Sequence, residues 1–144
     1  MIIVYRPEGD DGPEQQFDMR RVRASEASIV QKATDMTWAE IRLGVREEDP
    51  TALRGVVWVL MKRSKPDLRW GDFDPEIEEL RCRFDAREVA EYAADIVGMP
   101  EDKQARFIAE LRFYAADPDS VDAALAEAAG PPKDLTTETS TPDD

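Results

Sequence analysis

Asp49-Pro50-Thr51-Ala52-Leu53-Arg54-Gly55-Val56-Val57-Trp58-Val59-Leu60-Met61-Lys62-Arg63 decides the fold. Asp49 followed by Pro50 is a helix start: a carboxylate to cap the free backbone N–H groups, then a residue with φ preset for the first turn. Leu53, Val56, Val57, Leu60 and Met61 recur at helical spacing, and Trp58 and Val59 widen that stripe until residues 55–61 are apolar almost all round. Val-Val-Trp-Val on its own favours a buried strand. The cap, the stripe and the length decide instead for a central buried helix. Lys62, Arg63 and Lys65 suit its negative end, and Pro66 stops it.

On the N-terminal side, Thr37-Trp38-Ala39-Glu40 fits a capping box, with Trp38, Ile41 and Val45 sharing one face behind it. Asp35-Met36 is a tight connection to an earlier helix, capped by Ser25 and running to about Ala33, with Ile29, Val30 and Ala33 on one face. The first 23 residues read as a β-hairpin or small sheet. Ile2 to Tyr5 favour the pleated state, Gly9 to Pro13 turn the chain, and Phe17, Met19 and Arg21 alternate with polar neighbours. Two strands alone are marginal, so they must lie on something else.

On the C-terminal side, residues 66–75 form a loop carrying Leu68, Trp70 and Phe73. Asp74-Pro75 opens a further helix over 76–81, or residues 80–84 alternate as a strand; the pattern fits both. Three helical patterns follow. Val89, Tyr92, Ala93, Ile96 and Val97 mark one, Phe107, Ile108, Leu111 and Tyr114 the next, and Asp117-Pro118 starts an alanine-rich third that ends at Gly130. The expected fold is α+β, mostly α, with five to seven helices. It divides into a hairpin (1–23), a helical core around the Trp58 helix (24–84), an acidic helical region (85–130) and a disordered tail (131–144), whose Thr, Pro and Asp cannot offset ordering entropy.

Charge and chemistry narrow the function. The chain of 144 residues carries a net charge of −13, and all of it sits in the second half: residues 1–70 hold 12 acidic and 12 basic residues, residues 71–144 hold 20 and 7. Such a field repels nucleic acid and anionic lipid and steers basic partners. The absence of histidine excludes His-based triads and His metal sites. The single cysteine, Cys82, excludes an internal disulfide, suits a reducing compartment and reads as a small core residue. No apolar run approaches the roughly 20 residues of a membrane span, Ile2 to Tyr5 is too short for a signal peptide, and no glycine-rich phosphate loop is present. Asp72, Asp74 and Glu76 open like a calcium loop, but Ile77 replaces the required glycine and Arg83 the final ligand. These acids therefore read as caps or a solvated loop, with no metal, cofactor or catalytic set. Trp38 and Trp58 read as core, while Trp70, between Arg69 and Gly71, either plugs the core edge or anchors a partner.

Ser25-Glu26-Ala27, Lys32-Ala33-Thr34, Met36 to Glu40, Asp49 to Leu53, Val57 to Arg63 with Pro66, and Trp70-Gly71-Asp72-Phe73 together resemble the tail assembly chaperones of long-tailed bacteriophages, in particular those of actinobacterial phages and prophages. Asp35-Met36 departs from the glycine that family often has before its Thr-Trp turn, and residues 85–144 match no named pattern. The resemblance implies a non-enzymatic assembly factor of the host cytoplasm, absent from the mature virion. Such a factor binds the tape measure protein and keeps it soluble while the tail tube polymerises; tail tube protein and a second copy of the chain are further candidate partners. The 66–75 loop, with aromatics beside acids, makes Leu68, Trp70, Asp72, Phe73 and Asp74 the expected partner-binding residues. The alternatives are a structural head–tail connector or tail terminator, and an acidic regulator of a basic host protein.

Overall fold

The computed structural model describes residues 1–7 and 14–131. Three short strands, β1 (Ile2–Tyr5), β2 (Gln15–Asp18) and β3 (Leu80–Arg83), make one antiparallel sheet in the order β2-β1-β3. Among the described residues six α-helices accompany it: α1 (Ala24–Thr34), α2 (Trp38–Arg46), α3 (Pro50–Met61), α4 (Ala86–Val97), α5 (Glu101–Tyr114) and α6 (Ser120–Ala129). The fold is α+β and mostly α. The expected turn at residues 9–13 and all but the first residue of the expected tail lie outside the described residues.

The third strand resolves the ambiguity at residues 76–84. A 3-10 turn over Ile77–Glu79 leads into β3, which pairs Ile3 with Cys82 on the side of β1 away from β2. The two-residue alternation prevails because Leu80 and Cys82 are buried while Arg81 and Arg83 keep their charged ends outward, and because β1 has a second edge of backbone groups to satisfy. Of the two alternatives, the α-helix over 76–81 does not form.

The α3 helix is the centre. Asp49 accepts the Ala52 N–H at 2.9 Å, Pro50 occupies the first turn, and the side chains from Val56 to Met61 are all buried. Thr37 and Glu40 form the expected reciprocal cap of α2, at 3.2 and 2.7 Å. The start of α1 differs from expectation. It is capped from inside, where Glu26 accepts the Arg23 N–H at 2.7 Å, and Ser28 rather than Ser25 bonds the helix backbone. Val30 is fully buried but Ile29 is 42% exposed, because α1 crosses α3 closely on the Val30 side. At that crossing a Cβ on Gly55 would stand 2.8 Å from Val30 Cγ1 and 3.0 Å from Thr34 Cγ2. The second strand ends sooner than its alternation suggests: Asp18 accepts the Arg20 N–H and turns Met19–Arg21 into a 3-10 turn.

Buried side chains fall into two clusters. The larger joins Ile3 of the sheet, α1, α2, α3, Phe73 and β3; the smaller holds Val89, Ala93, Ile96, Leu111, Ala115 and Val121 of α4–α6. They meet at Phe84, whose N–H donates to the Tyr114 carbonyl at 2.8 Å and whose carbonyl accepts from Ala116 at 2.9 Å.

Candidate partner-binding surface

The 66–75 loop is fastened to α3 through its carbonyls. Trp58 Nε1–H donates to the Leu68 carbonyl at 3.0 Å, and Lys62 Nζ reaches the Pro66 and Leu68 carbonyls, both at 3.1 Å. Arg54, the one charged side chain within α3, donates to the Phe73 carbonyl at 2.6 Å and the Trp70 carbonyl at 2.7 Å. Its guanidinium also lies 3.9 Å over the Trp70 ring, whose other contact is an edge-on approach to Trp58 at 5.2 Å. Trp70 thus plugs the core edge and is half-buried. Phe73, expected as an exposed anchor, is only 5% exposed and meets Tyr5 edge-on at 5.5 Å. Leu68 is half-buried, and Asp72 and Asp74 are exposed. A partner can reach the two aspartates and part of Trp70; Phe73 is spent on the core. The physical cause is Arg54, which by taking two loop carbonyls draws the ring-bearing segment down onto α3.

The open aromatic surface lies elsewhere. A groove of about 630 Å³ runs between the two clusters, floored by Tyr92, Ile96, Phe107, Leu111 and Tyr114. Tyr92, Phe107 and Tyr114 are 47%, 36% and 41% exposed, and Phe113 beside them is 67% exposed. The rings form a chain, Tyr92 to Phe84 at 4.7 Å, Phe84 to Tyr114 at 6.0 Å and Tyr114 to Phe113 at 5.0 Å, with the Arg83 guanidinium 5.7 Å from Phe113. These rings stay open because the smaller cluster has little to cover them with. On α5 only Leu111 is buried, and half of α6 is alanine. The rim carries Glu47, Glu48, Asp95 and Glu110 against Arg46 and Arg83, an acidic balance. Glu48, held at φ 55°, accepts the Cys82 N–H at 2.8 Å and so ties the α2–α3 turn to β3 at one edge of the groove.

Sequence periodicity placed Tyr92, Phe107 and Tyr114 on apolar helix faces without distinguishing cover from exposure. The usable signal was the poverty of the segment: residues 86–131 offer several rings but mainly alanines to pack them against. Cys82, at the groove's wall, is 8% exposed, and burial, with Glu48 adding to it, pushes its thiol up to about 11. Among the described residues no three metal-ligating side chains gather in one place, and no helix is long and apolar enough to cross a membrane. No protein-family model, curated protein or solved structure matches the chain.

Proposed function

We propose that this chain is a tail assembly chaperone of a long-tailed phage, acting in the host cytoplasm without catalysis and leaving the finished particle. Its client is the tape measure protein, a long amphipathic helix that aggregates when its apolar face is bare. The observation that carries the reading is the groove of Tyr92, Phe107 and Tyr114, apolar on its floor and acidic on its rim, which suits one face of a helix. The family resemblance over residues 25–73 supplies the client's identity, and the charge of −13 favours a client with basic residues.

The test is co-expression with the tape measure protein, scoring the soluble fraction of that protein. Wild-type chain is expected to hold it in solution. Tyr92→Ser with Phe107→Ser is expected to lose at least about 2 kcal/mol of binding while the domain stays folded, since both rings are substantially exposed. An insoluble tape measure protein beside well-folded wild-type chain refutes the chaperone reading. Full rescue by the double variant refutes the groove as its seat.

A further inference from the structure

A second hollow, of about 390 Å³, opens beside the aromatic groove, and Met1 and Arg46 line both. Four arginines line it, Arg20, Arg42, Arg46 and Arg87, with Trp38 among them. In a chain of net charge −13 this is a local reversal of sign. The helix period explains part of it, because Trp38, Arg42 and Arg46 stand at i, i+4 and i+8 along α2. The other two come from the 3-10 turn after β2 and from the first turn of α4.

Two of the four have carboxylate partners. Arg20 lies 3.4 Å from Asp18 and 3.5 Å from Asp85, and Arg87 lies 3.1 Å from Glu91. Asp85 and Glu88, the acids of the hollow, are engaged by the Met1 amino group at 2.6 and 2.9 Å. Arg42 and Arg46 have no carboxylate within reach among the described residues. Like charges at i, i+4 on a helix cost a few tenths of a kcal/mol, so the fold gains nothing from this pair. A ligand with two carboxylates at the same spacing relieves the repulsion and takes both forks.

Resting on the groove as a helix-docking site, we propose that the hollow is the second half of that site and that Arg42 and Arg46 seat the acidic end of the docked helix. The occupant is then an amphipathic helix whose charges are segregated along its length. Its basic residues stand over Glu47, Asp95 and Glu110, its acidic residues over Arg42 and Arg46, and its apolar face lies on Tyr92, Phe107 and Tyr114. Arg46, which borders both cavities, marks the change of sign.

Two synthetic helical peptides of about 20 residues, roughly 30 Å long, test this. They share composition and apolar face; one has its lysines in one half and glutamates in the other, and the second has them alternating. Binding of each to the full chain is read by fluorescence anisotropy of the labelled peptide. The segregated peptide is expected to bind about 10-fold tighter or more at low salt, with the advantage shrinking as salt rises. Arg42→Glu, which lines the hollow but not the groove, is expected to erase that advantage while changing the alternating peptide by less than about 3-fold. The Arg42 side chain is exposed, so the variant keeps its fold, as a thermal melt verifies. Equal binding of the two peptides to wild type, or an advantage that survives in the variant, overturns the proposal and leaves the groove reading standing. Binding of neither peptide overturns both.

Discussion

Gly55→Ala tests the α1–α3 crossing on which the larger core depends. An alanine in a helix interior is ordinarily favoured over glycine by about 1 kcal/mol, so the helix alone predicts stabilisation. Packing predicts the opposite. The added Cβ would stand 2.8 Å from Val30 Cγ1 and 3.0 Å from Thr34 Cγ2. Carbon atoms sit comfortably at about 3.5–4.0 Å, so the first contact is short by at least about 0.7 Å. Neither neighbour can swing aside: both are β-branched on a helix, where χ1 is restricted, and Thr34 Oγ1 is also held by its 2.8 Å bond to the Val30 carbonyl. The helices must separate, and overpacking of this kind costs about 1–3 kcal/mol. Set against the propensity gain, a net loss of up to about 2 kcal/mol is expected. Urea denaturation reads it as a midpoint lowered by up to about 1 M at an m-value near 2 kcal/mol/M. Gly71→Ala is the control, because nothing lies within 4 Å of its Cβ position, and it should stay within about 0.5 kcal/mol of wild type. Combining Gly55→Ala with Val30→Ala should cost less than the sum of the two by at least about 0.5 kcal/mol, since the second change removes the clashing methyl. A stabilised Gly55→Ala refutes the close crossing.

Trp58→Ala should cost about 3–5 kcal/mol, and Trp70→Ala clearly less, since Trp58 is 6% exposed and Trp70 only half-buried; the reverse order in denaturant melts would contradict the packing of the loop on α3. The Arg63 guanidinium holds Glu26 below its ordinary value of 4.5, and for Asp85 the upward push of burial is outweighed by bonds from the Met1 amino group and the Glu88 N–H, which bring it below 3.8. Both depressed carboxylates therefore stabilise the fold above about pH 5 and lose that contribution as pH falls through their folded values; Glu26→Gln should flatten the acid limb of a plot of melting temperature against pH, and an unchanged limb would contradict the Arg63 pairing. With a thiol near 11 rather than 9.0, Cys82 holds roughly a hundredth of the ordinary thiolate at pH 8, so iodoacetamide should label native protein at least about 10-fold more slowly than unfolded protein.

Local signals were legible in the chain wherever one short segment contained both halves of an interaction. Asp49 with Ala52 and Thr37 with Glu40 lie three residues apart, so the starts of α2 and α3 follow from sequence, as does the all-round burial of Val56 to Met61. The mostly helical α+β class follows from the same patterns. What sequence could not decide depended on residues far apart in the chain. β3 is a strand because β1, some 80 residues earlier, presents an edge to it. Phe73 is core because Arg54, 19 residues back, bonds its carbonyl, and Ile29 is exposed because Gly55 lets α1 approach on the Val30 side. The open aromatic groove and the arginine-lined hollow left only indirect traces, the alanine-rich 86–131 segment and the i, i+4, i+8 spacing of Trp38, Arg42 and Arg46. A periodic stripe records that a face is apolar, and only the tertiary structure decides whether the other elements supply enough side chain to cover it.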